Sequence, residues 1–472
     1  MRWSTIAVLG LLACSSERKG GKDRSKVEAR GEEARPVTPL RPDEGRERTV
    51  EIPADFKAER TVSAPQTVVF IVIDTVRADH MSLCGYERPT TPFLQKLVQE
   101  KDAAVACRAY SPGTWTTPSH ASYFTGAAPT EHHLLNKGHP LGKEFETLAE
   151  SFVGAGWQTA LVAANPTLGQ ATGIWQGFQH AAAAEGLYKA WRGNELVEQV
   201  EKTLKKVEKG KPLFLFVNIF DAHDPYPAVP DGVEWLPRRE KMDILPNRPD
   251  AYKSLKEFYA GTIEPKTRGQ LVAHMNDSYD YGVYKSDQDI QRVLGLLEAE
   301  GWLSSTWRVV ITSDHGEHLG EHDMMRHDGP PFEAVSRVPL VFMDNSVPKP
   351  VLPSPISATA AYWLVKDGKL PAEMPPVMSA SIQYEDGDSF TQFQDAVAIW
   401  RDEQHKLFWS GGKLSEVDLV ADPKELALKP ATANDPAVDR HVQALLKSKQ
   451  IALGEAKDPE VMRMLEAVGY VN

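Results

Sequence analysis

Cysteine is scarce in these 472 residues, with only Cys14, Cys84 and Cys107 present. A disulfide framework is therefore excluded as the main stabilising device. Cys84 and Cys107 leave two arrangements open, one bridge between them or two separate buried thiols. No dense Lys/Arg block occurs, and the formal net charge is −12. Nucleic-acid binding needs clustered cations to displace counterions from phosphates, so no nucleic-acid partner is expected. Any anionic group must be held by local charges. Also missing is an apolar run of about 20 residues, the length that spans a bilayer. Aromatic residues are nearly absent from residues 15–64, where Lys, Arg, Glu, Gly and Pro dominate. Such a segment cannot bury enough apolar surface to offset its ordering entropy, and it is read as a disordered tether.

What is present begins at the amino terminus. Met1-Arg2 is followed by an apolar stretch from Ile6 to Leu12 and then by Ala13-Cys14. A basic start, a short apolar middle and a small residue before the cut give residues 1–14 the layout of a signal peptide. Leu11-Leu12-Ala13-Cys14 resembles the bacterial lipobox, which implies lipidation of Cys14 and anchoring of the chain to a membrane. Ser15 resembles the sorting pattern for the outer membrane, implying a cell-envelope lipoprotein facing the periplasm or the exterior.

From Thr67 onward apolar runs alternate with amphipathic segments, the pattern of an α/β fold with helices on both faces of a mostly parallel sheet. Three runs stand out. Val68 to Ile73 ends in Asp74, Leu213 to Phe220 ends in Asp221-Ala222-His223, and Arg308 to Ser313 ends in Asp314-His315-Gly316. Ligands in open α/β sheets bind beyond the carboxyl ends of strands, so these three ends are expected to share one crevice. Val283, Ile290, Val293, Leu294 and Leu297 recur at helical spacing and predict a covering helix over residues 280–297. Residues 396–400 and 405–409 read as antiparallel strands, followed by a helix from about Asp435 to Lys449. The domain plan is thus a catalytic domain over 65–365 and a small α+β subdomain over 366–472.

Asp74 with Asp314-His315 offers two carboxylates and an imidazole, a donor set suited to one divalent ion, Ca²⁺, Mn²⁺, Zn²⁺ or Mg²⁺. The segment from Thr116 to Gly126 reads as a helix start with Thr at the cap, Pro118 in the first turn and Gly126 past the end. A hydroxyl there sits beside unpaired backbone N–H groups and the positive end of a helix dipole. Thr116 is therefore read as a nucleophile.

These residues carry a family resemblance. "FIVIDTVRADHMSLCGY" resembles the first strand and metal loop of sulfatases. "TTPSHASYFTG" resembles their Cys-x-Pro-Ser-Arg segment, and "FVNIFDAHDPYP" their His-containing strand end. "ITSDHGEHLGEHDMMRHDGPPFEAVSRVPLVF" resembles their second metal loop. The resemblance implies an alkaline-phosphatase-like three-layer sandwich, with metal ligation by Asp74, Thr116, Asp314 and His315. It further implies proton donation by His223, and charge compensation on the transferring group by Arg326, His120 and His327. Asn165 lies where sulfatases often place a substrate-contacting Lys.

Departures from the pattern narrow the chemistry. Oxidation of Thr116 would give a ketone, so no formylglycine is expected. His120 replaces the Arg of the motif, and Arg326 replaces a Lys. The resulting set is similar to that of phosphoethanolamine transferases and lipoteichoic acid synthases. The implied activity is hydrolysis or transfer of a phosphate mono- or diester, on an anionic substrate that is small or linked to a lipid or glycan. Sulfate ester hydrolysis without formylglycine and a non-catalytic binding role are the alternatives. His318-Leu319-Gly320-Glu321-His322 fits the H-x-x-E-H pattern of inverted zinc proteases, but Gly316 and Gly320 bracket it after a strand, which argues against the helix that motif needs. Glu131-His132-His133 is read as a solvated loop.

Overall fold

The computed structural model describes residues 66–467, except 136–137, 187–188, 238–248, 328, 383–393, 432–434 and 455–456. The expected signal peptide, Cys14 and the tether lie outside the described residues.

The strands run in the order β1 (Thr67–Ile73), β2 (Ala104–Tyr110), β3 (Gln158–Ala163), β4 (His180–Ala183), β5 (Leu213–Ile219) and β6 (Trp307–Ser313). A short hairpin of β7 (His318–Leu319) and β8 (Met325–Arg326) follows, then β9 (Arg337–Asp344) and β10 (Ile356–Ser357). Eight of them form one sheet in the order β10-β2-β9-β6-β1-β5-β3-β4. All neighbours pair in parallel except β9, which is antiparallel to both β2 and β6.

The composition of β1 explains its central place. Val69, Ile71 and Ile73 enter one apolar core, and Val68, Phe70 and Val72 enter another, so both faces need cover. The first core is closed by helices Pro92–Glu100, Asn194–Leu204 and Pro265–Ala299, and the second by helices Thr116–Thr125, Leu148–Gly154 and Ala361–Asp367. This is the expected three-layer α/β sandwich. Each fully buried Phe or Leu in these layers contributes about 1.5–3 kcal/mol of transfer free energy.

Register then places the chemistry. Ile73 lies opposite Ile219 on one side and Ser313 on the other. The next residues of β1 and β6 are Asp74 and Asp314, so two carboxylates leave the sheet on the same rung.

A second, antiparallel sheet contains β11 (Met378–Ser381), β12 (Ala396–Trp400), β13 (His405–Ser410), β14 (Lys413–Asp418) and β15 (Lys429–Pro430). Val438, Val442 and Leu445 of helix Pro436–Gly454 cover one face of it. The other face meets the main sheet, where Trp400 stacks on Tyr110 with ring centroids 4.0 Å apart.

Three details differ from the sequence reading or complete it. Helix Pro265–Ala299 starts well before residue 280, with the Glu264 carboxylate accepting from Thr267 N–H at 2.8 Å and Pro265 in the first turn. Of its first half, Leu271, Met275 and Tyr279 enter the core among mostly polar neighbours, so the apolar period is faint there. The expected solvated loop at Glu131-His132-His133 is instead a short helix, Pro129–His132, with His132 buried at 3.0 Å from Ser122 Oγ. Cys84 and Cys107 are bridged, with their Cα atoms 5.6 Å apart.

Candidate active site

Asp74 is fully buried where β1 ends. Its Oδ2 accepts from Asn165 Nδ2 at 2.7 Å and Asn218 Nδ2 at 3.2 Å. Asp314 is equally buried, and its Oδ1 accepts from the backbone N–H of Thr75 at 3.1 Å and of His315 at 2.9 Å. The His315 ring is turned by a contact of 2.9 Å from Nδ1 to Gly316 O, which as a donation places the lone pair on Nε2.

One oxygen of each carboxylate and one ring nitrogen are thereby left over. Asp74 Oδ1, Asp314 Oδ2 and His315 Nε2 are buried without a hydrogen-bond partner. Asp74, Asp314 and His315 each bring a ligand atom within 4.8 Å of the others'. Burial without a partner is costly for such groups, and a divalent cation would satisfy all three at once. Without it, burial and mutual repulsion push Asp74 up to about 7, and burial pushes Asp314 up to about 7 against the pull of its backbone donors. Burial, and then nearby His327, lower His315 to about 4, so its ring is neutral and suited to ligation.

Thr116 opens a ten-residue helix that Gly126 ends in a left-handed conformation, φ 74°. Trp115 rather than Thr116 takes the cap position and caps with no side chain, so Thr116 is the first helical residue. Its Oγ1 lies 3.3 Å from Asn165 Nδ2. One amide thus touches both a ligand candidate and the hydroxyl. His120, one turn on, sits beneath the site with Nδ1 at 2.9 Å from Thr116 O and 3.7 Å from Asp314 Oδ2. Packed against Phe124 and Phe216, it is lowered by burial to about 3 and is neutral.

The two ligand loops brace each other. Thr75 has φ 58°, a costly conformation for a β-branched residue, yet its N–H reaches Asp314 and its hydroxyl donates to Ala222 O at 2.9 Å. Val76 N–H donates to Ser313 Oγ at 2.8 Å, and Tyr279 Oη to Thr75 O at 2.7 Å.

The Sulfatase family model matches residues 66–362. The chain belongs to the sulfatase family. It is 27% identical to the Kdo(2)-lipid A phosphoethanolamine 7''-transferase of Escherichia coli (strain K12) across 66% of this chain and 50% of that protein. The chain therefore spans about half the length of that relative. It is 23% identical to the multifunctional alkaline phosphatase superfamily protein PehA of Trinickia caryophylli, across 59% of this chain and 68% of that one. Among solved structures, the phosphonate monoester hydrolase of Agrobacterium radiobacter superposes with a TM-score of 0.58 at 17% identity. That match covers 81% of this chain and 95% of the other, and it shows a shared fold.

Within this family frame the remaining expected residues gather at one rim. The His327 ring centroid lies 4.5 Å from that of His315 and 5.2 Å from that of His223. His223 stacks on Phe220 at 4.3 Å, and its Nδ1 contacts Asp224 O. Arg326 pairs with Asp224 at 2.8 Å, which brings its guanidinium to the His223 turn. His318 and His322 share no continuous helix: His318 lies in β7, and His322 has φ 53°. Sequence reading overlooked Asn218, Thr75, Asp224 and Glu317. Asn218 had a signal, as a lone amide inside an otherwise apolar strand; Glu317 is buried below His327, 3.4 Å from its Nδ1.

Proposed function

We propose that this chain is a metal-dependent hydrolase or transferase of phosphate mono- or diesters, with Thr116 as nucleophile. The observation that carries this reading is the trio of buried, unpartnered ligand atoms on Asp74, Asp314 and His315, joined through Asn165 to a hydroxyl at a helix start. Asp74, Asp314 and His315, with Thr116 Oγ1, would hold one divalent ion. Such an ion supplies Lewis acidity to the nucleophile and the ester oxygen.

The chain's own groups account for the other requirements. Thr116 Oγ attacks phosphorus in line, forming a phosphothreonine bond as the bond to the leaving oxygen breaks. Contact of Nδ1 with Asp224 O orients His223 and leaves the lone pair on Nε2 of a ring that burial and nearby His327 hold neutral. Nε2 thus takes up the proton lost by Thr116 and delivers it to the leaving oxygen as the bond to phosphorus breaks. Arg326, with His327 beside it, compensates charge on the equatorial oxygens. His120, buried and neutral, buttresses the first turn of the Thr116 helix through Thr116 O. Water or an acceptor hydroxyl then displaces Thr116 from phosphorus.

The phosphoethanolamine transferase relative supports a phosphoester substrate in the bacterial envelope, on a small, lipid-linked or glycan-linked anion. A second reading, sulfate ester hydrolysis without formylglycine, is favoured by the family itself. The Cys84–Cys107 bridge suits an oxidising compartment. Among the described residues no helix is long and apolar enough to cross a membrane. Anchoring through a lipidated Cys14, and a division near residue 365 between a catalytic domain and an α+β subdomain, complete the proposal.

Intact-mass spectrometry after incubation with Mn²⁺, Zn²⁺ or Ca²⁺ and a phosphodiester tests it. The expected result is a substrate-derived mass on Thr116, absent in Thr116→Ala. No adduct and no product under every metal would remove the covalent phosphoryl mechanism, and turnover of sulfate esters alone would favour the second reading.

A further inference from the structure

Arg192 lies outside every motif quoted above, 31 residues before His223 in sequence. Its Nη2 nevertheless donates to Pro225 O at 3.0 Å and approaches His223 O at 3.4 Å. The same guanidinium stands 5.5 Å from the centroid of the Phe220 ring. Phe220 in turn is the ring on which His223 stacks, 4.3 Å away and tilted by 19°. A backbone bond of 3.1 Å from His223 N to Phe220 O closes this turn.

One cation therefore holds the turn at two points, the carbonyls at and beyond His223 and the aromatic platform beneath its imidazole. Arg192 is itself anchored to the rigid body. Gly193 N–H donates to Asp289 Oδ2 at 2.8 Å, and Leu196, in the helix that starts at Asn194, is buried in the core. Asp224 and Asp289 act on the guanidinium as nearby carboxylates, and Asp221 lies with them, its own carboxyl pushed up by burial and by Asp289. A planar fork that bonds two carbonyls while facing a ring is a task for arginine, since an ammonium offers a point charge without the plane.

We propose that Arg192 is a positioning residue that fixes the aim of the His223 imidazole at the leaving oxygen. This rests on the reading of His223 as proton donor. A misaimed donor harms esters with basic leaving groups and spares those whose leaving group departs without a proton. Arg192 should therefore control the dependence on leaving group, while contributing little to reaction with activated esters.

The test is kcat/KM for the full-length protein on a series of aryl phosphodiesters from nitrophenyl through chlorophenyl to phenyl, repeated with the matching aryl sulfates. Wild type should show a shallow dependence on leaving-group basicity. Arg192→Met should lose about 10²-fold on the phenyl ester and only a few-fold on the nitrophenyl ester, the size of a lost general-acid contribution. Arg192→Lys should recover part of that selectivity, and Arg192→Gln serves if Met at this site prevents folding.

The outcomes separate the two claims. His223→Gln steep with the Arg192 variants shallow would overturn the positioning role and keep His223 as donor. A uniform loss across the series in the Arg192 variants would make the residue merely structural and overturn the inference. A shallow dependence in His223→Gln would remove the donor reading itself, and turnover of neither ester class would remove both.

Discussion

Asn165 holds Asp74: its amide nitrogen sits 2.7 Å from Asp74 Oδ2 while also reaching Thr116 Oγ1 at 3.3 Å. Both protons of one NH₂ group are committed, one to a carboxylate and one to the hydroxyl. Orientation of the candidate ligand Asp74 and of the proposed nucleophile Thr116 is thus set by the same side chain. Asn165→Ala is expected to weaken metal binding about 10- to 100-fold, as for other residues that orient a ligand. Asn165→Asp, which loses the donor but adds a carboxylate that attracts the ion, should lose less affinity than Asn165→Ala. Metal titration by calorimetry checks both, and unchanged affinity in the alanine variant would leave Asn165 without this role.

Metal uptake should release protons. Asp74 and Asp314, pushed up to about 7, are mostly protonated at pH 6 without metal and must lose those protons to bind it. Affinity is therefore expected to climb with pH up to about 7 and then level off. Calorimetry in buffers of different ionisation enthalpy should find about two protons released per ion at pH 6 and close to none at pH 8. Equal release at both pH values would contradict the burial argument.

The same shift has a sign for stability. Between the ordinary carboxyl value of 3.8 and about 7, the metal-free folded state holds protons that the unfolded chain has lost. Rising pH through that window therefore removes stability at these two sites. Asp74→Asn should raise the Tm of chelator-treated protein at pH 8, have little effect at pH 5, and abolish the stabilisation by added metal. A lower Tm at pH 8 would count against it.

Gly316 leaves no room for a side chain. A Cβ there would stand 2.1 Å from Ala334 O and 2.9 Å from the Arg77 side chain. Gly316→Ala should cost about 1–3 kcal/mol of stability through forced backbone movement, and it should also displace His315. Denaturant unfolding with and without metal would reveal this as a lower midpoint in both conditions.

Reduction of the Cys84–Cys107 bridge is a fourth perturbation. It closes a loop with a sequence separation of 23, for which chain-entropy reasoning gives about 3 kcal/mol. The bridge ties the segment after Asp74 to β2. A Cys84→Ser/Cys107→Ser double variant should therefore melt lower while still binding metal, and thermal scans with and without reductant should differ for wild type only.

The sequence made some of this legible for a physical reason. The β-branched runs before Asp74 and Asp314 mark strands, and their alternation with amphipathic segments implies a mostly parallel sheet, which brings the two carboxyl ends to one edge. The helix at Thr116 is announced by Pro118 and Gly126. Asn218 is visible in sequence only as a lone amide in an apolar strand, which marks the position as unusual without saying what it contacts. Arg192 and Asp224 belong to contacts that exist only once the turn after β5 is folded against the helix at Asn194. The cysteine pair stayed open because spacing alone is compatible with a bridge and with two thiols. The long helix exceeds what its apolar period announces because its amino-terminal half gives the core only Leu271, Met275 and Tyr279.

The place of β1 between β5 and β6 also governs when the site comes into being. Val72 meets Asn218 across 146 residues, and Thr75 meets Asp314 across 239. Closing loops of that length is entropically slow, and no local segment of the chain contains the ligand set. A nascent or partly folded chain consequently holds its carboxylates far apart and has no preformed cage in which to trap a cation. Ion capture is then a late event, and the rate at which bound metal accumulates during refolding would time the docking of the last central strand.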